Sequence, residues 1–572
     1  MSSTALTIKA IGERLARPSR GLRNRLAASR ARLGESPERA EPLPEPVLFG
    51  DAGRGQAMVG GTWRALGHEV ALGQGTIWQA ELPDPRLEAE RQSFLWLDDL
   101  AALGNRAARG LAQAWVQDWI ARQGSGRGPG WRPELAGRRV KRWTAHCALL
   151  TKDLDRVSEE RFWRALAAQQ RYLERTWPEA EPGLLQLRAL SGLVWTGVAL
   201  PHAGHRAAMG ELATAAEAFI GADGTIENRA PEELAEAMIL LIWTARVLEN
   251  AGQHAPPAHL AAIVRGVPVL RPLRLGDGGL ARFHGGGPSS ADRLDQALAE
   301  LRIGVQVKPR LAMGYCRLAG GRAAVVVDVA EPPPVPMRAH AGTLAFEMST
   351  GRQPLVVNAG PGRVFGDEWA ALARQTAAHS TLEVDGRSSA RFETRGLAAR
   401  TFGARLADGP SLVSVRQAQD ATGQWLLATH DGYIASHGLL HERRIFLDAR
   451  GTELRGEDNL TVPDARARAQ CDKAGDEGLL GFAVRFHLHP AIAPDLDPVR
   501  ALVLLDLPGG ERWMLRASGG RLAVEESVYF DPEAARPQPT RQVVVHAGLL
   551  EYSGQVIWSI GRIAAAAASA PA

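Results

Sequence analysis

Two histidines and an asparagine have the spacing most suggestive of chemistry. His340 lies in MRAHAGTLAFEM, Asn358 in QPLVVNAGPG and His379 in ARQTAAHSTLEV. HAGTLAFEM reads as a strand and QPLVVN as its hairpin partner, turning around Ser349–Arg352. By period-two alternation Arg338, His340, Leu344, Phe346 and Met348 share one face. That face carries the large apolar groups and is read as inward, with Arg338 and His340 at its open end and Asn358 nearly opposite His340. Imidazole is a common zinc ligand, and a neutral carboxamide is a poorer one than a carboxylate. Spacing alone leaves a metal site and a hydrogen-bonded polar cluster both open.

Other groups could complete such a site. Arg338 and Arg374, each a few residues before a motif histidine, are catalytic candidates together with Tyr433. A guanidinium is always charged, so it suits binding a carboxylate or sulfate better than taking a proton. Tyr433, in THDGYIASHGLLHERR beside His430, His437 and His441, could act as acid or base. The simpler reading of that run is a hairpin whose polar residues face solvent. GDGGLARFHGGG carries Arg282 and His284 in a Gly-rich loop without the Lys-Ser/Thr of a P-loop. It is either a connector or a cleft-lining loop, and the second makes Arg282 and His284 substrate-binding. His487 and His489 alternate onto one face, as a surface pair or part of a cleft.

The elements that must position these groups change character along the chain. Residues 1–45 are basic, with Leu15, Leu22, Leu26 and Leu33 at helical spacing, and read as a tail packed on the body in preference to a membrane-surface helix. EPLPEPV is a connector, followed by short strand-like pieces and turns at Gly50–Gly55 and Gly60–Gly61. From Ser93 the pattern is helical, with Ala/Leu/Arg-rich stretches near 138–153, 158–176, 183–199, 203–219, 231–252 and 256–271. Such helices with short loops fit a bundle, solenoid or toroid. After about residue 304 many short apolar runs alternate with Gly/Asp/Pro turns, which indicates a large antiparallel sandwich to about residue 565. An Ala-rich tail, 566–572, closes the sequence.

Composition narrows the function classes. A net charge of +4 over 572 residues is too weak to argue for nucleic acid. No run of apolar residues is long enough for a membrane span, and the N-terminus lacks the apolar region of a secretory signal. Cys147, Cys316 and Cys471 are too widely spaced for a zinc motif and odd in number, so they are read as reduced core residues. The 15 Trp outnumber the 5 Tyr and 13 Phe, and serve either as core or as sugar-stacking platforms.

Three motifs resemble those of the heparinase II/III family of polysaccharide lyases. They are Arg338-Ala-His340-Ala-Gly-Thr-Leu-Ala-Phe346, Asn358-Ala-Gly-Pro and Arg374-Gln-Thr376-Ala-Ala-His379-Ser-Thr381, in the family's order and spacing. The resemblance implies a multidomain α+β chain: an N-terminal incomplete (α/α) toroid over 46–304, then an antiparallel β-sandwich over 305–565. It implies β-elimination on an acidic, uronate-containing glycan such as heparan sulfate or alginate, a zinc ion held by His340, Asn358 and His379, and a place in the cell envelope or periplasm. The missing signal peptide leaves a cytoplasmic location open, and a homodimer is also left open. Asn358 replaces the family's Asp ligand, Arg338 stands where a catalytic His is expected, and the helical-domain Asn-His and Tyr are not found. The alternative is therefore a catalytically impaired glycan-binding or envelope-associated protein on the same fold, with an acidic polysaccharide or oligosaccharide as partner.

Overall fold

The computed structural model describes residues 10–12, 21–34 and 50–563, apart from 74, 203, 288–290, 302–310, 336–337 and 476–479. The expected connector at 41–47, the domain boundary at 304/305 and the tail at 566–572 lie outside the described residues. The helical first half comprises chiefly Arg86–Ser93, Leu95–Leu103, Arg106–Gln123, Pro133–Ala145, Arg156–Thr176, Leu184–Ala199, His205–Phe219, Pro231–Asn250 and Pro257–Leu270. Their starts follow local chemistry: the Asn105 and Asp155 side chains accept from Ala108 and Ser158 N–H, and prolines open three helices.

Tryptophan fills this half. Trp96, Trp115, Trp119, Trp143, Trp163 and Trp195 are each at most 2% exposed, so none is a sugar platform. Phe94 meets Trp119 and Trp143 edge-on at 5.9 and 5.5 Å. Helices Pro133–Ala145 and Leu184–Ala199 cross with their backbones touching. A methyl on Gly137 would meet the Arg188 carbonyl oxygen at 2.2 Å, and one on Gly192 would meet Gly137 Cα at 2.4 Å.

Gly50–Gly55 is not a turn between strands: Ala52–Val59 is helical. Asp51 caps it by accepting from Arg54 N–H, and the Arg54–Asp99 pair ties it to Leu95–Leu103. The strand-like character begins one step later, in the hairpin Thr62–Ala65 and His68–Ala71. In the basic N-terminal region, residues 21–31 form a helix seated through Asn24, Ala28 and Ala31, with Arg171 donating to the Ala31 carbonyl. This part of the tail does pack on the body.

The second half is a sandwich of two antiparallel sheets. One has eight strands in the order Val413–Gln419, Gly423–Tyr433, Leu439–Asp448, Glu453–Thr461, Ser553–Arg562, Arg512–Ser518, Leu502–Asp506, Ala493–Asp497. The other contains Phe346–Thr350 and Gln353–Val357, the hairpin expected around Ser349–Arg352, beside Gly481–Leu488 and Ala323–Asp328. Their inner faces share one apolar core, in which the Phe346 and Trp558 rings stack at 5.6 Å. The strand starts only at Phe346, so Arg338 and His340 do not lie on it. Leu344 adopts φ +65°, which breaks the period-two parity. His340 therefore leaves the apolar face and lies among side chains at the helical junction.

Candidate functional site

The junction is built around Arg229, in the loop before Pro231–Asn250. Its Nε donates to the Met313 carbonyl (3.0 Å), its Nη1 to Glu331 O (2.6 Å), and its Nη2 to Gly314 O (3.0 Å) and the Asp328 carboxylate. The guanidinium lies 4.7 Å from the Tyr315 ring centre, and the Tyr315 hydroxyl donates back to the Arg229 carbonyl. Burial alone would raise Asp328, yet Arg229 and His284 hold it below the usual carboxylate value. His284 Nε2 stands 3.3 Å from Asp328 Oδ2, at ion-pair distance but without hydrogen-bond geometry. Arg229 and His284 both take positive φ, 55° and 49°. Such backbone is held only where surrounding contacts over-determine it.

The motif histidines meet next to this pair. The His340 backbone N–H donates to His284 Nδ1 at 3.2 Å. His379 Nδ1 donates to the Gln375 carbonyl at 2.7 Å, which leaves its Nε2 as an acceptor facing His340 Nδ1 at 3.2 Å. Burial pushes His379 down to about 4 and His340 well below the ordinary imidazole value, so both rings are neutral at pH 7. Asn358, fully buried, accepts from Ser380 N–H at 2.9 Å through Oδ1 and gives its own N–H to Glu347 Oε1 at 2.7 Å.

These residues do not fit a zinc ion. Because Asn358 Oδ1 is committed to a backbone N–H, its free terminus is an NH2 donor, and that atom has no partner. Asp328 is engaged by Arg229, and His284 is committed too, its Nδ1 accepting the His340 N–H and its protonated Nε2 facing Asp328, so the two remaining imidazoles fall short of a zinc site. Among the described residues no group of three His, Cys, Asp or Glu is placed to hold a metal.

Arg282, from the Gly-rich loop, does line the junction. Its backbone N–H and Nε donate to Glu347 at 3.0 and 3.3 Å, and its guanidinium lies 4.1 Å from the Tyr529 ring centre. Arg338 pairs with Glu233 at the start of Pro231–Asn250. Arg374 braces the loop, donating to the Ala339 and Ala404 carbonyls. Tyr433 is fully buried in the sandwich, its hydroxyl donating to Leu382 O at 2.9 Å.

The expectation that the Tyr433 hairpin turns its histidines to solvent is overturned. His430 and His441 are opposed in register and face the core, where His441 Nε2 donates to Asp458 (2.8 Å) and His441 Nδ1 accepts from His430 (3.0 Å). Arg443 and Trp558 also donate to Asp458. His437 is buried too. His487 is no surface residue either: it is 3% exposed and bonds Ser527 and the Ala377 carbonyl. Sequence reasoning missed Arg229, Asp328, Tyr315, Glu347 and Tyr529. Glu347 had left a signal: it is the lone carboxylate on the Phe346–Thr350 strand, on the face opposite Phe346 and Met348.

The model for the heparinase II/III-like C-terminal domain matches residues 304–559. FtsZ-localized protein C of Caulobacter vibrioides is 31% identical over 510 residues, covering 86% of this chain and 84% of that protein. The crystal structure of heparinase III superposes with a TM-score of 0.67 at 10% identity, over 97% of this chain and 92% of that one. Heparan sulfate lyase HepC from Pedobacter heparinus gives 0.54 at 14% identity, over 90% and 83%. At such identities the two solved structures speak for the fold alone.

Proposed function

The chain belongs to the heparinase II/III family, and from that premise we propose that it is a binding protein on the polysaccharide-lyase fold, localised with FtsZ, and does not carry out β-elimination. One observation carries the reading: the side chains that would do the chemistry are already engaged with other groups of the protein. β-Elimination needs a group to neutralise the uronate carboxylate, a base for the α-proton and an acid for the leaving oxygen. His340 and His379 are buried and face each other, Arg338 is paired with Glu233, and Tyr433 donates to a carbonyl in the sandwich core. The relative named for FtsZ localisation supports that place of action, and an acidic polysaccharide or oligosaccharide is the proposed ligand class.

Two experiments test this. Purified protein is incubated with a panel of uronate polymers while the absorbance of an unsaturated product is followed; product from any polymer would sink the non-catalytic reading. A fluorescent fusion is imaged beside labelled FtsZ in live cells. Diffuse signal that ignores FtsZ would remove the localisation, and signal around the cell periphery would favour the envelope location that the resemblance implies.

The lyase reading, on a heparan-sulfate- or alginate-like glycan, keeps one specific support. Lys141 is buried on Pro133–Ala145, 5.6 Å from the Trp195 ring centre, and burial with Arg142 nearby lowers it to about 7. A lysine so poised can take a proton at neutral pH. If product appears in the polymer assay, Lys141→Met is the variant that should abolish it.

A further inference from the structure

We propose that Arg282, Glu347 and Asn358 form an oxyanion site at the domain junction, taking a carboxylate or sulfate group beside the position where the motif set would call for a metal cation. This deepens the binding reading above and rests on it.

The argument starts from donors that lack acceptors. Arg282 Nη1, Arg282 Nη2 and Asn358 Nδ2 are all buried without a hydrogen-bond partner among the described residues. Both residues are tied to the same carboxylate, Arg282 through its backbone N–H and Nε, Asn358 through its backbone N–H alone, so the Asn358 carboxamide NH2 stays outside this set. Glu347 Oε1 takes the Asn358 N–H and Arg282 Nε, and Oε2 takes the Arg282 N–H. Glu347 is fully buried, so its acceptor capacity goes to these three bonds. What remains around it is rich in donors and poor in acceptors, and an isolated buried donor is unfavourable until an acceptor reaches it.

The guanidinium is held ready. Its Nε edge is committed to Glu347 and one face lies on Tyr529 at 4.1 Å, which leaves the Nη edge for a ligand. Nη1 runs beside the turn after Asn358: a methyl on Gly360, whose φ is +95°, would sit 3.7 Å from it. Two parallel N–H groups are the geometry with which arginine takes a carboxylate or sulfate. Phe530 N–H donates to the Ala359 carbonyl at 2.7 Å and ties this turn to the segment that carries Tyr529.

Asn358 sets the sign of the site. Its oxygen is fixed by Ser380 N–H, so the other terminus must be an amide NH2. A carboxylate there would add a negative charge and favour a cation; the carboxamide adds a donor and favours an anion.

The test uses the full-length protein at constant ionic strength. Sodium glucuronate and sodium sulfate are titrated calorimetrically, with glucose as the neutral control, and zinc is counted by elemental analysis after dialysis against the metal. The wild type should bind at least one oxyanion, ignore glucose and retain no stoichiometric zinc. Arg282→Lys should lose roughly tenfold in affinity as the paired N–H edge is removed. Asn358→Asp, nearly isosteric and so a safeguard if the Arg282 variant fails to fold, should lose the oxyanion and gain zinc. Response to glucuronate alone identifies a sugar carboxylate, and response to sulfate alone a sulfate ester. No oxyanion binding by the wild type, stoichiometric zinc in the wild type, or unchanged oxyanion affinity in Asn358→Asp overturns the proposal. Turnover in the polymer assay with oxyanion binding intact would sink the non-catalytic reading and leave this site standing.

Discussion

Replacing Arg229 by alanine should loosen the junction more than any other single change there. Arg229 donates to three backbone carbonyls and to Asp328, a carboxylate only 1% exposed. Its removal strands Asp328 against a neutral His284, since burial keeps His284 below the ordinary imidazole value. Breaking a buried pair by deleting one partner costs about 3–5 kcal/mol. For cooperative units of this size, about 2–4 °C per kcal/mol translates this into a fall of about 6–20 °C in the sandwich transition. Differential scanning calorimetry at pH 7 reads the shift directly. Arg229→Lys keeps the charge but not the fork, and should recover only part of it. Acid should narrow the gap between wild type and Arg229→Ala. Asp328 has its folded value depressed, so its contribution is present above the unfolded carboxylate value and is lost as pH falls through the folded one. A variant melting within about 1 °C of the wild type, a difference of under about 0.5 kcal/mol, would refute the reasoning that Arg229 holds the junction.

Three further outcomes are expected. Asp458→Asn should destabilise the sandwich by about 3–5 kcal/mol in urea unfolding, because Arg443 is then a buried charge without its counter-ion. Tyr433→Phe should cost only about 1 kcal/mol, one hydrogen bond to Leu382 O, and leave oxyanion affinity unchanged in calorimetry. Lys141 is lowered to about 7 in the fold, so the unfolded chain binds more protons between that value and the ordinary lysine one. Wild-type stability should therefore rise with pH through this window relative to Lys141→Met, as followed by urea titrations at several pH values.

The two-part order was legible because helical and two-residue periodicities are long and do not overlap, and the Phe346–Val357 hairpin because its apolar runs flank a Gly-Arg turn. The junction was not. Arg229 and Asp328 are 99 residues apart, and no local pattern encodes a contact between separate halves. The misplacement of His340 came from extending alternation through Leu344, whose left-handed backbone is invisible in a residue string. The core histidines were within reach. Leu439, His441, Arg443, Ile445 and Leu447 share one face of one strand, and a histidine and arginine on an apolar face imply a buried acceptor. Asp458, paired in register with Arg443 on the next strand, is that acceptor. The three motifs gave the family correctly, but which motif atoms are already spent on the protein itself can be read only from geometry.

The crossing at Gly137 and Gly192 has a mechanical consequence. With no side chain between them, helices Pro133–Ala145 and Leu184–Ala199 leave no room for slip or for a change of crossing angle. Lys141, Arg142 and Trp195 thus ride on a single stiff strut. At the seam between the halves the Arg229 anchors, three carbonyls and Asp328, form a second rigid point, so that strut and seam together hold the Gly-rich segment bearing Arg282 and His284 in a fixed frame.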